Sequence, residues 1–395
     1  MRRIFRPTSW RAAVRVVGAA VVCVAGGPAL ADLPGVTAER ILFGQSAALH
    51  GPASELGTEM RRGIEAAFAE ANRSGGVHGR RLDLLSYDDR YEPEAAIANT
   101  KKLIHQNGVF ALIGAVGTPT SMAAEPIASE AQVPFIAPFT GAEFLRKPKL
   151  RNIVNVRASY FEETEKIVAS LLRDRGISRV AVLYQDDSYG RSGLVGVREA
   201  LQRRGLTLVG TGTYARNTTA VKTALLSLRD SEPQAIVIIG AYRPSAIFTR
   251  WARKLGVDAP ILNISFVGTD ALAASLGPDG AGVFVTQVVP FPTGEAIPLL
   301  DQYRAALAAH SPGTPPGFVS LEGYIAGRLT IAVLGHLGDA PTRQAFLQKL
   351  AEIGTFDIGG FKLRYGPTDN HGSDQVFLTE IRADGSIVPV ERLSR

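Results

Sequence analysis

Cysteine is almost absent from this sequence: of its 395 residues, only Cys23 is one. A single thiol forms no disulfide within its own chain and supplies no cysteine-rich zinc site. Histidine is also sparse, and none of the six stands at the i, i+4 spacing that presents two metal ligands on one helix face. The sequence therefore predicts neither a bound metal nor a cofactor.

Acidic residues are missing from the first 31 positions, where five arginines precede an apolar run over residues 16–25 and an Ala-x-Ala end at Ala29–Ala31. A basic start, an apolar centre and small residues at the end are typical of a cleavable signal peptide. The run is about ten residues long, and a helix needs roughly 20 to span a bilayer. We expect residues 1–31 to be removed, Cys23 with them, and the mature chain to be soluble in the periplasm as a monomer.

Without residues 1–31, the chain has almost no net charge. The mature chain would carry 38 basic and 37 acidic side chains, whereas nucleic-acid binding needs a clustered basic face. The sequence predicts no nucleic-acid partner.

Motifs for catalysis are missing too. The chain contains neither G-x-S-x-G nor S-x-x-K, so no nucleophilic serine is indicated. Gly210–Ala215 matches the dinucleotide pattern G-x-G-x-x-A, but the residues after it favour a loop rather than the start of a helix. We interpret it as an ordinary strand end and predict no enzymatic activity, although an exported enzyme stays the least favoured alternative.

What the chain does contain is a regular alternation of strand-like and helical patterns. Residues 41–48 are strand-like and residues 55–72 are helical, and this order repeats through residues 260–264. Such alternation is typical of parallel sheets covered by helices. A mature length of about 364 residues exceeds what one hydrophobic core usually supports. We therefore predict an α/β protein with two Rossmann-like lobes.

The end of the chain has a different character. Residues 361–365 and 375–382 favour an antiparallel hairpin around Gly366–Asn370, and residues 387–391 favour one more strand. The expected lobes are residues 32–157 plus 290–374 and residues 158–289 plus 375–395, joined by three crossings. No second segment long enough to cross a membrane is expected.

Several motifs occur in an order that resembles a known family. They are Ala47–Ala53, Asn72–Gly79, Tyr87–Asp89, Thr118–Ser121, Pro134–Ala142, Tyr184–Gly190 and Gly240–Tyr242. Together they are similar to the leucine/isoleucine/valine-binding protein family, the type I periplasmic solute receptors of ABC importers. The resemblance covers nearly the whole mature chain. It implies a hinge, a ligand cleft between the lobes, a small-molecule ligand and an ABC transporter permease in the inner membrane as partner.

The resemblance also implies which residues contact the ligand. Thr118 and the Thr140–Gly141 pair match positions that hold the ligand's polar head, although both threonines also suit a helix N-cap. Tyr189 and Tyr242 match rings that close over the ligand from the other lobe. Further ligand contacts are expected from Val116, Leu56 and Phe266.

One departure from the family concerns ligand charge. Amino-acid-binding relatives carry a glutamate after the strand that matches Pro260–Ile264, whereas this chain has Ser265 and Phe266 there. A buried ammonium without a counter-charge is costly. We therefore expect a carboxylate with an apolar or aromatic body in preference to an α-amino acid. A ligand sensor of the same fold that feeds a signalling protein is the second interpretation.

Overall fold

The computed structural model describes residues 33–393 and, before them, only residues 1 and 8. The predicted signal peptide therefore lies outside the described residues. Residues 33–393 belong to one compact unit. Its core is built on two separate sheets, one of them parallel and the other parallel apart from its last two strands.

The first sheet has five strands in the order β2-β1-β3-β4-β5, all parallel. Its strands and the helices between them are β1 (Arg40–Ala47), α1 (Ser54–Arg73), β2 (Arg81–Asp88), α2 (Pro93–Lys101), β3 (Ala111–Ile113), α3 (Thr118–Glu130), β4 (Phe135–Ile136) and β5 (Ile153–Val154). A five-residue π-helical turn, Lys102–Gln106, extends α2. We call this sheet and its helices lobe 1.

The second sheet has seven strands in the order β15-β14-β10-β9-β8-β6-β7. The chain builds its parallel part through α4 (Tyr160–Arg175), β6 (Val180–Gln185), α5 (Ser188–Gln202), β7 (Gly210–Tyr214), α6 (Lys222–Asp230), β8 (Ala235–Ile239), α7 (Tyr242–Lys254), β9 (Ile261–Asn263), α8 (Thr269–Leu276) and β10 (Val283–Gln287). We call this sheet and its helices lobe 2. Residues 155–159, which lead from β5 to α4, are the first hinge segment.

Strand β7 covers Gly210–Tyr214, and residues 206–209 before it form neither helix nor strand. The glycines of the dinucleotide-like pattern thus lie within a strand, and α6 begins only at Lys222. A dinucleotide site would need the helix to start within the pattern. The stretch is therefore a strand along nearly its whole length rather than the strand end that the sequence indicated.

After β10 the chain returns to lobe 1 through α9 (Pro298–His310), α10 (Phe318–Gly335) and α11 (Arg343–Ile353). A small antiparallel sheet follows, with strands β11 (Thr355–Ile358), β12 (Phe361–Gly366) and β13 (Asp369–Gly372). The last strands, β14 (Phe377–Ile381) and β15 (Ile387–Pro389), join lobe 2 antiparallel to β10.

The predicted hairpin between residues 361–365 and 375–382 is therefore wrong. The turn after β12 is the expected one, but it pairs β12 with β13, and β14 pairs instead with β10. Alternation alone does not identify a strand's partner, because a sheet edge elsewhere offers the same hydrogen bonds. The tail does cross between the lobes, at residues 373–376.

Helix α10 also corrects an expectation. Its 18 residues are long and apolar enough to cross a membrane, yet 78% of that window is buried within the protein. It packs closely along α1, where the backbone of Gly63 meets that of Ser320. An all-round apolar helix with such packing is typical of a protein core.

Candidate functional site

Three hydroxyl groups meet at the carboxyl edge of the lobe 1 sheet. Thr118 begins α3 just after β3, and its Oγ1 lies 2.7 Å from Oγ1 of Thr140, which follows β4. The hydroxyl of Tyr160, the first residue of α4, lies 3.3 Å from both threonine oxygens. All three side chains are buried. We call Thr118, Thr140 and Tyr160 the hydroxyl cluster.

Thr118 is not an N-cap, contrary to the alternative that the sequence left open. The N-cap of α3 is Gly117, and no side chain caps this helix. Thr120 instead donates its hydroxyl back to the carbonyls of Val116 and Gly117. The Thr118 hydroxyl is thus directed to the cluster, beside a helix N-terminus whose partial positive charge favours anions.

Gly141 lets Tyr160 reach the cluster. Its carbonyl accepts the Tyr160 N–H at 2.7 Å, and a Cβ at position 141 would lie 2.5 Å from the Tyr160 ring. Only glycine fits there without displacing the ring. The Thr140–Gly141 pair therefore lies beside the hydroxyl cluster, and its contact with a ligand stays a prediction.

Aromatic rings from both lobes pack next to the hydroxyl cluster. In lobe 2, the ring centroids of Tyr189 and Phe266 lie 4.5 Å apart. Phe266 also lies 5.3 Å from Phe139 and 6.1 Å from Tyr91, both of lobe 1. Tyr160 lies 5.5 Å from Tyr189. The lobes are thus in direct contact, and these buried rings form an apolar wall beside the polar end.

The remaining predicted residues border the same interface. Leu56 of α1 meets Gly268 of lobe 2 so closely that a Cβ at position 268 would lie 2.5 Å from its side chain. Val116 forms a parallel bridge with Phe139. Tyr242 begins α7, and its buried hydroxyl has no hydrogen-bond partner among the described residues. The ligand-contact roles of all eight predicted residues stay predictions.

A buried ion cluster lies at the hinge end of the interface. Arg157 of the first hinge segment lies 3.6 Å from Glu163 of α4 and 3.6 Å from Glu322 of α10, and all three side chains are almost fully excluded from solvent. Its guanidinium stacks 4.6 Å from the Phe139 ring and donates to the Ser265 hydroxyl. We call Arg157, Glu163 and Glu322 the hinge ion cluster.

The hinge ion cluster places a carboxylate next to Ser265. We expected no carboxylate near Ser265, but Glu163 accepts the Ser265 N–H at 2.7 Å and its hydroxyl at 2.9 Å. Position 163 is distant in sequence, so the strand-by-strand match to the family gave no signal for it. Because Arg157 and the donors of lobe 2 already balance Glu163, the expected ligand charge stays a prediction.

The two glutamates of the cluster differ in their hydrogen bonds. Glu163 accepts from Ser265 and, at 2.5 Å, from Thr286, whereas Glu322 Oε1 has no hydrogen-bond partner among the described residues. Burial raises the pKa of Glu322 to about 7, against the opposing effect of Arg157. Burial also raises the pKa of Glu163, while Arg157 and its donors oppose that shift. Glu322 is thus the carboxyl group that is more easily protonated.

A polar contact closes the outer rim of the interface. Glu92 of lobe 1 accepts from Arg216 and Asn217 of lobe 2, each at 2.7 Å. Asn217 also donates to the Arg90 carbonyl at 3.2 Å. Asp187 approaches Arg216 at 3.4 Å from the lobe 2 side. We call Glu92, Arg216 and Asn217 the rim contact.

Sequence reasoning missed Tyr91, Tyr160 and the hinge ion cluster. Tyr91 did carry a signal, because it follows Asp88-Asp89, whose strand ends at the same sheet edge as the predicted threonines. Its hydroxyl accepts from Gln185 of lobe 2 at 3.3 Å. Tyr160 and Glu163 stand at the start of a helix after a lobe crossing, where ligand-facing groups are expected in open α/β folds.

Two α/β lobes with polar groups and aromatic rings between them define the class of two-lobed solute-binding proteins. A family model described as periplasmic binding protein matches residues 41–386. Because this match spans most of the chain, the protein belongs to the periplasmic binding protein family, and its relatives place it among the Leu/Ile/Val-binding proteins.

Curated relatives and solved structures agree on that placement. The chain is 25% identical over 364 residues to Leu/Ile/Val-binding protein homolog 7 of Brucella abortus, covering 86% of this chain and 88% of the relative. A Pseudomonas aeruginosa protein named for binding leucine, isoleucine, valine, threonine and alanine is 25% identical, covering 86% and 87%. The structure of a possible leucine/isoleucine/valine-binding protein from Rhodopirellula baltica is 38% identical, with a TM-score of 0.86 over 92% of this chain and all of that one.

Proposed function

We propose that this protein is the solute-binding component of an ABC importer in the periplasm, and that it traps a small carboxylate-bearing solute by closing its two lobes. The hydroxyl cluster carries the proposal. Three buried hydroxyls converge beside the N-terminus of α3, which has no side-chain cap. Hydroxyl donors and a helix N-terminus together suit a carboxylate.

The other helix starts around the interface support the same polarity. The N-termini of α4 and α5 are capped by Ser159 and Asp187, whereas those of α1, α3, α7 and α8 have no side-chain cap. Of these uncapped ends, those of α3 and α7 begin with the hydroxyl-bearing residues Thr118 and Tyr242, which were expected to contact the ligand. An anionic group of the ligand would therefore be bound between α3 and α7.

The aromatic wall supports an apolar body for the ligand. Tyr189, Phe266 and Phe139 present ring surface next to the hydroxyl cluster, and burial of apolar ligand surface contributes roughly 25 cal/mol per Å². Ligand contacts with both lobes would favour the closed arrangement over an open one. The ligand body is thus expected to be aliphatic or aromatic, with or without an α-amino group.

The test is a thermal-shift screen of the mature chain against amino acids, aromatic acids and aliphatic carboxylates. A ligand at 100 times its dissociation constant stabilises the native state by about 2.7 kcal/mol. Calorimetry then compares each ligand with its neutral amide. Tight binding of carboxylates and loss with the amides supports the proposal, whereas turnover of any ligand would contradict it.

Two isosteric variants locate the site. Thr118→Val removes a hydroxyl of the cluster, and a hydrogen bond to a charged group contributes about 1.5–3 kcal/mol, so affinity should fall by roughly 10- to 150-fold. Thr120→Val is the matched control, because its hydroxyl donates to carbonyls of its own turn. Equal effects of the two variants would place the carboxylate elsewhere.

A further inference from the structure

The hinge ion cluster holds one carboxylate more than its single guanidinium can neutralise. Arg157 faces Glu163 of lobe 2 on one side and Glu322 of lobe 1 on the other, and none of the three side chains is appreciably exposed. A buried charge without a partner is costly, so such a group usually becomes neutral instead.

Hydrogen bonding identifies which carboxylate carries the excess charge. Glu163 accepts from the Ser265 backbone and from the hydroxyls of Ser265 and Thr286, all of lobe 2. Among residues 33–393, the polar approach to Glu322 is that of Arg157 at 3.6 Å. Lobe 2 thus satisfies Glu163 by itself, whereas Glu322 has no comparable donors in this part of the chain.

Glu322 lies close to the place where the two lobes meet. Its helix, α10, belongs to lobe 1, and the N-terminal end of α10 touches lobe 2 where Asp270 of α8 accepts the Phe318 N–H at 2.9 Å. The charged groups that act on Glu322 are Arg157 and Glu163, with the buried Arg146 of the turn after β4 contributing more weakly. Helix α1, on its other side, presents backbone of Met60 and Gly63 to this part of α10.

Given the lobe closure proposed above, we propose that closing the lobes takes up one proton from solvent on Glu322, so that acid favours the closed, ligand-holding state and alkali favours release. The positive charge on Arg157 then balances Glu163 alone.

The sign follows from the two states. In the closed state burial raises the pKa of Glu322 to about 7, and in an open, hydrated cleft it returns towards the ordinary glutamate value. A group whose pKa is raised on closure favours closure at low pH and loses that effect as pH rises through about 7. The ratio of closed to open molecules should therefore fall about tenfold between pH 6 and pH 8.

Two further buried acids have a pKa raised to about 6 or about 7, so their protonation must be separated from that of Glu322 in this pH range. Burial raises the pKa of Asp270 to about 6, which adds only about a twofold change over the same range. Burial raises the pKa of Asp89 to about 7, but its hydrogen bonds come from Ser46 and Tyr91 of its own lobe. Neither group replaces Glu322 as the main proton acceptor at the interface.

The experiment measures lobe separation directly, with no ligand required. Cysteines introduced at the exposed positions Lys101 of α2 and Thr223 of α6 are labelled with a fluorescent donor and acceptor, since the mature chain has no other cysteine. Single-molecule energy transfer at pH 6 to 8 then gives the closed fraction. Wild type should show the tenfold change, and Glu322→Gln, which mimics the protonated group, should stay closed with at most a twofold change.

Three results would overturn the inference: a wild-type closed fraction that does not depend on pH, a full tenfold change retained in Glu322→Gln, or loss of the change in Asp270→Asn. If Glu322→Gln does not fold, the wild-type and Asp270→Asn profiles still decide the question. If open and closed states are both seen but their ratio does not depend on pH, only the proposed proton uptake is refuted. One fixed state at every pH and with every screened ligand refutes the proposed lobe closure itself.

Discussion

The rim contact should stabilise the closed arrangement by a measurable amount. Glu92 is the only lobe 1 side chain in it, and it accepts from both Arg216 and Asn217 at 2.7 Å. Glu92→Ala therefore removes these two interlobe hydrogen bonds with one substitution and leaves the bond from Asn217 to the Arg90 carbonyl. Because Glu92 does not cap α2 with its side chain, lobe 1 itself should be little affected.

The magnitude follows from exposure. The side chains of Glu92 and Arg216 are 43% and 22% exposed, so the ion pair falls in the range of about 0.2–1 kcal/mol for solvent-accessible pairs. The bond from Asn217 to the carboxylate adds about 0.5–1.5 kcal/mol at this exposure. A total near 1.4 kcal/mol predicts a roughly tenfold fall in the ratio of closed to open molecules.

Energy transfer between labels at positions 101 and 223 measures that ratio. Glu94→Ala is the matched control, since Glu94 is exposed in the first turn of the same helix. The difference between Glu92→Ala and wild type should shrink in 1 M salt, where the Debye length is about 3 Å. Equal closed fractions for the two variants at low salt would refute the reasoning.

Three further outcomes are expected. Gly63→Ala should lower the free energy of unfolding in urea by about 1–3 kcal/mol, because the new Cβ overlaps the Ser320 carbonyl. Gly335→Ala, where a Cβ has open space, should leave that free energy unchanged or raise it. Glu163→Ala should cost about 3–5 kcal/mol in the same assay by leaving a buried Arg157 with one partner fewer; a loss below 1 kcal/mol would contradict this. Mass spectrometry of the exported protein should find Asp32 as its first residue, and detection of Met1 would refute the predicted cleavage.

Much of the fold could be predicted because local pattern determines it. The alternation of strands and helices specified two parallel α/β sheets, and the helix predicted from residue 55 is α1 to within one residue at its start. The C-terminal strands could not be assigned in the same way. Their pairing with β10 or with β12 is decided by which sheet edge is nearby in the fold, which no short stretch of sequence encodes.

The residues of the candidate site likewise include some that the sequence indicated and some that it could not indicate. Thr118 and Thr140 were expected from the resemblance to the family, and their hydroxyls meet because both residues follow strands of one parallel sheet, whose carboxyl ends lie at one edge. Glu163 and Glu322 could not be found, because they lie on helices of different lobes and are 159 positions apart in the sequence. Only the crossing of the chain at Arg157 brings them to the same guanidinium.

The three sets of interlobe contacts respond to different conditions, and this allows their contributions to closure to be separated. The rim contact is half-exposed and weakens with salt. The rings around Phe266 are buried and uncharged, so neither salt nor mild pH change should affect them. The hinge ion cluster is shielded from salt by burial but contains a titratable carboxyl group. The closed fraction measured at high salt and pH 8 without ligand therefore reports the aromatic contacts. Any increase in that fraction when ligand is added reports the contribution of the ligand.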